Sequence, residues 1–122
     1  MKILALSLIL VSLDISAEVF KINGSSIDFE KKSSVLVSGC EKTCEALKAL
    51  GTHKKISLKK ARAGIAFIGS TGSDVCKYVY KANAVIGVNE GKDQRSFCVF
   101  KDQSMLEINS LSDYLEKNKI AQ

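Results

Sequence analysis

The sequence predicts a small α+β domain in which a small antiparallel β-sheet is packed by two or three short helices and held by two disulfides. Segments that alternate apolar and polar residues lie near both ends of the chain and are separated by turn residues such as Asn23-Gly24. Other segments carry helix caps and apolar residues at helical spacing. The four cysteines form an even set in a chain that starts like an exported protein.

The first 17 residues have the pattern of a signal peptide. Lys2 supplies the positive start, residues 3–13 are apolar, and residues 14–17 end on the small Ala17. The alternative is a buried N-terminal strand or helix. We expect cleavage to leave residues 18–122 as a single small disulfide-stabilised domain, secreted or periplasmic. No later segment approaches the roughly 18 consecutive apolar residues that a membrane span needs.

The N-terminal part of the domain predicts a hairpin and a third strand. Residues 18–22 and 26–30 alternate apolar and polar side chains on either side of Asn23-Gly24. Asn-Gly is the strongest short signal for a two-residue hairpin turn. Residues 34–38 follow as a short and more buried strand.

The middle of the chain predicts helices. Residues 41–50 predict a first helix, with acidic residues in its first turn. Residues 65–68 then predict a buried strand, or the end of a short helix over residues 58–63. Ser73 is a candidate N-cap for a second helix that runs to Lys81, although the valines and tyrosines of this segment suit a strand equally well.

The C-terminal third predicts a three-stranded meander and a last helix. Residues 84–88, 95–101 and 104–108 have strand patterns and are separated by turn residues. Ser110 is the predicted N-cap of a helix over residues 111–119, whose leucines and tyrosine recur at helical spacing.

The four cysteines predict two disulfides, because in an exported chain this is the default for an even set. They are Cys40, Cys44, Cys76 and Cys98. Four cysteines allow three pairings, and we favour Cys40–Cys44 with Cys76–Cys98, since a spacing of four is within disulfide range if Cys40 lies just outside a helix start. Zinc prefers C-x-x-C pairs or several histidines, and His53 is the only histidine. We therefore expect no metal and no cofactor.

Two segments resemble a known family. Asp74-Val75-Cys76 and the run Arg95-Ser96-Phe97-Cys98-Val99-Phe100-Lys101-Asp102-Gln103-Ser104 resemble a family of small bacterial secreted domains of unknown function that carry a hemolysin label. The resemblance covers residues 72–111 and departs from the family at Gln103, where the family tends to have glycine. It implies a bacterial periplasmic or secreted protein and supports a Cys76–Cys98 disulfide. It implies no catalytic residue.

The positive charge of the chain is concentrated in one basic segment, which we define by Lys54, Lys55, Lys59, Lys60 and Arg62. No acid lies between Ala46 and Ser73, and the five cations equal the whole net charge of +5. Such a run predicts a site for an anionic envelope component or an acidic protein. Nucleic acid is the least expected partner, because no aromatic residue is interleaved to stack on bases. The alternative is a solvated, lysine-rich loop.

Residues for catalysis are few. A Cys–His dyad would need His53 and a cysteine outside the disulfides. Carboxylate pairs such as Asp102 with Glu107 are what glycoside hydrolysis uses, but any acid-rich surface offers such pairs. We predict no catalytic residue. We expect an exported non-enzymatic binding or inhibitory module of unknown specificity; the alternatives are a small envelope-acting hydrolase and a purely structural periplasmic protein.

Overall fold

The computed structural model describes residues 18–52 and 70–118, and within them six strands form a closed antiparallel barrel. The strands are β1 (Glu18–Ile22), β2 (Ser25–Lys32), β3 (Val35–Ser38), β4 (Asn83–Val88), β5 (Gln94–Val99) and β6 (Met105–Glu107). Their order around the barrel is β1-β2-β3-β6-β5-β4. Each half of the chain therefore contributes three consecutive strands.

The predicted fold class, a small antiparallel sheet packed by helices, is wrong because the two halves join into a closed, mostly β barrel. The N-terminal hairpin, the third strand and the C-terminal meander were predicted. Closure depends on the pairing of Val37 with Leu106 on one side of the barrel and of Lys21 with Val88 on the other. These pairs join residues about 70 positions apart, and local alternation carries no information about such a partner.

The described helices are short. They are α1 (Glu45–Leu50), α2 (Thr71–Asp74), which continues into a π-helical turn (Val75–Val79), and α3 (Ile108–Lys117). In the part of the chain that the structure describes, no helix is long and apolar enough to cross a membrane.

The predicted start of the first helix is wrong by four residues. The helix begins at Glu45 rather than at residue 41, and Cys44 is its N-cap with extended backbone. The Cys40–Cys44 disulfide spans the residues before it, so they form an irregular loop.

The other two predicted N-caps also move toward the N-terminus. Ser70, not Ser73, caps α2, and its hydroxyl accepts a hydrogen bond from the Ser73 amide at 3.2 Å. Glu107, not Ser110, caps α3. Ser110 instead lies in the first turn of α3, where its hydroxyl accepts a hydrogen bond from the Leu36 amide of β3.

Several predictions fall outside the described residues. They are the signal peptide over residues 1–17, the strand over residues 65–68 and the alternative helix over residues 58–63.

Aromatic rings fill the barrel lumen. Phe20, Phe29 and Phe97 are fully buried, and their ring centroids lie 4.7 to 5.7 Å apart. Leu36 and Met105 pack against this cluster. The period of two in each strand places these residues inside, and the barrel is therefore a packed core without a channel through the rings.

A second core lies between the helices and the outer wall of the barrel. Val35 and Val37 of β3 face outward, opposite to Leu36, and pack with Leu111 and Leu115 of α3. All four residues of β3 are buried as a result. Packing on both faces explains why the sequence predicted this strand to be more buried than the other strands.

Candidate binding site

Both disulfides lie where the helices meet the barrel. Cys40–Cys44 has a Cα separation of 5.3 Å and Cys76–Cys98 one of 5.8 Å, and this is the pairing that the cysteine spacing favoured. The first disulfide precedes α1. The second ties the π-helical turn to the outer wall of β5. Together they fix the positions of two helical segments that are too short to be stable alone.

The residues of the basic segment, Lys54 to Arg62, lie outside the described residues. The structure describes the chain up to Thr52, directly after α1, and again from Ser70, directly before α2. Cys44 is the N-cap of α1, and Cys76 lies six positions after Ser70. A disulfide-linked helical element therefore stands on each side of the basic segment in the chain.

Two carboxylates that the sequence offers as a catalytic pair serve as helix caps instead. Asp102 lies in the turn between β5 and β6, and its Oδ2 accepts a hydrogen bond from the Glu45 amide at 2.9 Å. Its Oδ1 accepts from the Ser104 amide and hydroxyl. The Ser104 hydroxyl and then the Glu45 amide hold the pKa of Asp102 below its usual range. Asp102 is thus an ionised cap of α1 at neutral pH.

Glu107 caps α3 from the inside of the protein. It is 1% exposed, and its carboxylate accepts hydrogen bonds from the amides of Asn109 at 2.7 Å and Ser110 at 2.9 Å. Arg95 Nη1 lies 3.8 Å from Glu107 Oε1, and the Arg95 guanidinium lies over the Phe20 ring. The buried charge is therefore compensated by a cation and two amides, which is the requirement for burying a carboxylate. This arrangement holds a helix and leaves neither oxygen open to a substrate.

A cleft of about 500 Å³ lies at one end of the barrel. Three segments meet there: the start of α1, the residues from Tyr80 to Asn83 that lead into β4, and the residues from Val99 to Gln103 that follow β5. Its polar lining consists of Glu45, Lys81, Asn83, Lys101 and Gln103. All five side chains are on exposed residues.

Two aromatic rings, that of the half-buried Tyr80 and that of the buried Phe100, form the apolar side of this cleft. The centroids of Tyr80 and Phe100 lie 5.6 Å apart, and Phe100 is 7% exposed. The Tyr80 hydroxyl donates a hydrogen bond to the Ala49 carbonyl of α1 at 3.2 Å. Burial, and then the neighbouring Tyr114, raises the pKa of Tyr80 far above its usual range. Tyr80 therefore stays a neutral donor that joins the cleft to α1.

Two residues of the cleft have unusual backbone. Lys81 has φ of 56° and Gln103 has φ of 72°, both in the left-handed region that non-glycine residues rarely adopt. Lys81 follows the π-helical turn, in which the Tyr80 amide donates to the Val75 carbonyl five residues earlier. Left-handed residues and π-helical turns are both enriched at functional sites.

The sequence did not indicate the cleft. Lys101 and Gln103 lie in the run that carries the family resemblance, but nothing in that run marked them as binding residues. Lys81 was predicted only as the end of a helix. The three segments of the cleft are separated by 30 or more positions or by a strand pair, so only the folded chain brings them together.

No protein-family model, curated protein or solved structure matches the chain. The resemblance to the hemolysin-labelled family stays a prediction.

Proposed function

We propose that the protein is an exported, non-enzymatic binding or inhibitory module that engages an anionic partner through Lys54, Lys55, Lys59, Lys60 and Arg62. The partner is an acidic envelope component or an acidic protein. The observation that carries the proposal is that a disulfide-linked helical element precedes the basic segment in the chain and another follows it.

Both flanking helices are fixed to the protein by packing as well as by disulfides. Ala46 and Leu50 of α1 and Val75 after α2 are buried in the outer core. A binding segment whose two ends are held loses less conformational entropy when it meets a partner. Two fixed flanking helices therefore suit a module that presents the segment between them to a partner.

The charge distribution supports the same function. The residues that the structure describes hold eleven Lys and Arg and twelve Asp and Glu residues, so they are close to neutral. The basic segment adds five cations and no acid. A local excess of one sign on a near-neutral scaffold attracts anionic partners and orients them toward that segment.

The observed use of the carboxylates argues for a binding role over hydrolysis. Asp102 and Glu107, which the sequence offered as a pair, are both engaged with helix amides. A retaining or inverting glycosidase needs two carboxyl groups that reach the scissile bond. Asp102 and Glu107 instead cap α1 and α3.

The test is retention on dextran sulfate and on vesicles containing anionic lipid, measured as a function of salt. A variant in which Lys54, Lys55, Lys59, Lys60 and Arg62 are replaced by Gln should lose retention and keep its melting temperature. We expect little change in stability because Lys and Arg side chains mostly lie at protein surfaces, where their charges contribute little. Screening should weaken the retention of the unmodified protein as salt rises.

Net charge alone could produce this loss, so the control removes five exposed lysines elsewhere. They are Lys21, Lys31, Lys42, Lys92 and Lys117. The control variant has the same net charge as the basic-segment variant and should keep most of its retention. Equal loss in the two variants would show that the basic segment has no special role, and a structural function would then be the better explanation.

A further inference from the structure

We propose that the cleft at the end of the barrel, between the π-helical turn and the β5–β6 turn, binds a saccharide that carries a carboxylate, such as a hexuronate. This site goes beyond the proposed function and uses none of the residues of the basic segment. It rests on the charges, the hydrogen-bonding groups, the size and the backbone of the cleft.

The charge of the lining favours an anion. Lys81 and Lys101 are exposed on two different segments of the cleft, and Glu45 is the one acid among the described residues that line it. The Lys101 and Lys81 ammonium groups can each donate hydrogen bonds to a carboxylate. The lining side chains therefore hold two ammonium groups and one carboxylate, and the nearby carboxylate of Asp102 is engaged with the amides of Glu45 and Ser104 instead of lining the cleft.

The neutral groups of the lining favour a hydroxyl-bearing body over a bare ion. Asn83 and Gln103 have side-chain amides, which can both donate to and accept from hydroxyls. Tyr80 and Val99, which are half-buried, offer apolar surface against which the C–H face of a sugar ring can pack. A volume of about 500 Å³ admits one or two sugar rings.

The walls of the cleft are held in place before any ligand arrives. The Cys76–Cys98 disulfide joins the π-helical turn to β5. Across the cleft, Asp102 and Ser104 hold the β5–β6 turn to the first amides of α1. A preformed site binds more tightly because less freedom is lost on binding. The left-handed backbone of Lys81 and Gln103 fits this interpretation, since strained residues persist where the surrounding structure fixes them.

The experiment is a titration of the ¹⁵N-labelled protein, with its disulfides intact, followed by NMR. The probes are digalacturonate, the neutral disaccharide maltose, and a blocked glutamate that carries a carboxylate without a sugar. Digalacturonate should shift the amide resonances of Lys81, Asn83 and Gln103 saturably. Maltose and the blocked glutamate should bind at least several times more weakly, because each offers only part of the recognised chemistry.

Three variants have different expected effects on the affinity for digalacturonate. Removing both cleft lysines, Lys81→Gln with Lys101→Gln, should weaken digalacturonate binding roughly tenfold. Glu45→Gln should strengthen it, because a like charge is removed from the lining. The matched control, Lys77→Gln with Lys92→Gln, removes two exposed lysines that do not line the cleft and should leave affinity unchanged.

Four results would overturn the proposal. They are the absence of saturable shifts in the cleft, equal binding of maltose, tighter binding of the blocked glutamate, and equal loss of affinity in the control variant. Because the basic segment is intact in every variant, and neither dextran sulfate nor the vesicles contain a hexuronate, these results leave the dextran sulfate and vesicle experiment unaffected. Failure of either proposal can thus be recognised separately.

Discussion

Two side chains of the β5–β6 turn, together with the N-cap Cys44, satisfy the first amides of α1. The amides of Glu45, Ala46 and Leu47 donate to Asp102, to the Ser104 hydroxyl and to Cys44 Sγ respectively. The first amides of a helix have no partner within the helix, and a helix of six residues is not stable in isolation. The β5–β6 turn therefore acts as a cap for α1 across more than 50 residues.

The lowered pKa of Asp102 predicts how stability depends on pH. A carboxyl whose folded pKa lies below its unfolded value of about 4 stabilises the fold above that value and stops doing so as pH falls through the folded pKa. Asp102→Ala should therefore lower the free energy of unfolding at pH 7 by about 1 kcal/mol, the usual contribution of a helix cap. The difference from the unmodified protein should shrink as the pH falls below 4. Urea denaturation across this range measures it.

The control for this prediction is Asp28→Ala, which removes an exposed carboxylate of β2. It should change stability little at any pH. A constant difference for Asp102→Ala from pH 7 to the acid range would show that ionisation of Asp102 does not stabilise α1.

The two hairpins of the N-terminal half use the same kind of turn with different residues. Asn23 and Gly24 join β1 to β2 with φ of 54° and 84°. Ser33 and Ser34 join β2 to β3 with φ of 54° and 71°. A two-residue turn with both φ values positive matches the twist of the strands. Asparagine and glycine adopt it readily, whereas each serine is strained by the contact between Cβ and backbone.

Exchanging the residues of these turns should change stability in opposite directions. Ser33→Asn with Ser34→Gly should raise the free energy of unfolding by about 1 kcal/mol, because relief of left-handed strain exceeds the entropy that glycine adds to the unfolded chain. The reverse change, Asn23→Ser with Gly24→Ser, should lower it by a similar amount. Both are read from urea denaturation. A loss in the first variant would mean that the serines are not strained in this turn.

The barrel closes where β1 meets β4, and a glycine allows the approach. Lys21 pairs with Val88 at this seam, and Gly87 lies beside it. A Cβ at Gly87 would lie 2.7 Å from Ile22 Cγ1 and 2.8 Å from a ring carbon of Phe97. Any side chain at this position would therefore push β4 away from β1 or displace the side chains that fill the barrel. Glycine in a strand often marks such a close approach.

Gly87→Ala should destabilise the protein by about 2 kcal/mol, as overpacking of a filled core usually does. The control is Gly91→Ala in the β4–β5 turn, where an added Cβ would meet only Asn89 Oδ1 at 3.5 Å. Its effect should stay below about 0.5 kcal/mol. Thermal and urea denaturation of both variants measure the loss of stability in each. Equal stability of the two variants would show that β1 and β4 are not closely joined.

The sequence by itself determined what neighbouring residues encode. Asn23-Gly24 sets the first hairpin, alternation sets the C-terminal meander, and the spacing of Cys40 and Cys44 favours a short disulfide loop. In each case the physical cause acts over a few residues: left-handed turn geometry, the period of two along a strand, and the reach of a disulfide. These features could be predicted without a partner elsewhere in the chain.

Only the tertiary structure decided the features that depend on remote partners. Barrel closure needs the β3–β6 and β1–β4 pairings, and α1 starts at Glu45 because Asp102 and Ser104 satisfy its first amides. The cleft combines Lys81 with Lys101, which lie on different segments and belong to no common motif. Local propensity is similar for several such arrangements, and the choice among them is made by long-range packing and hydrogen bonds.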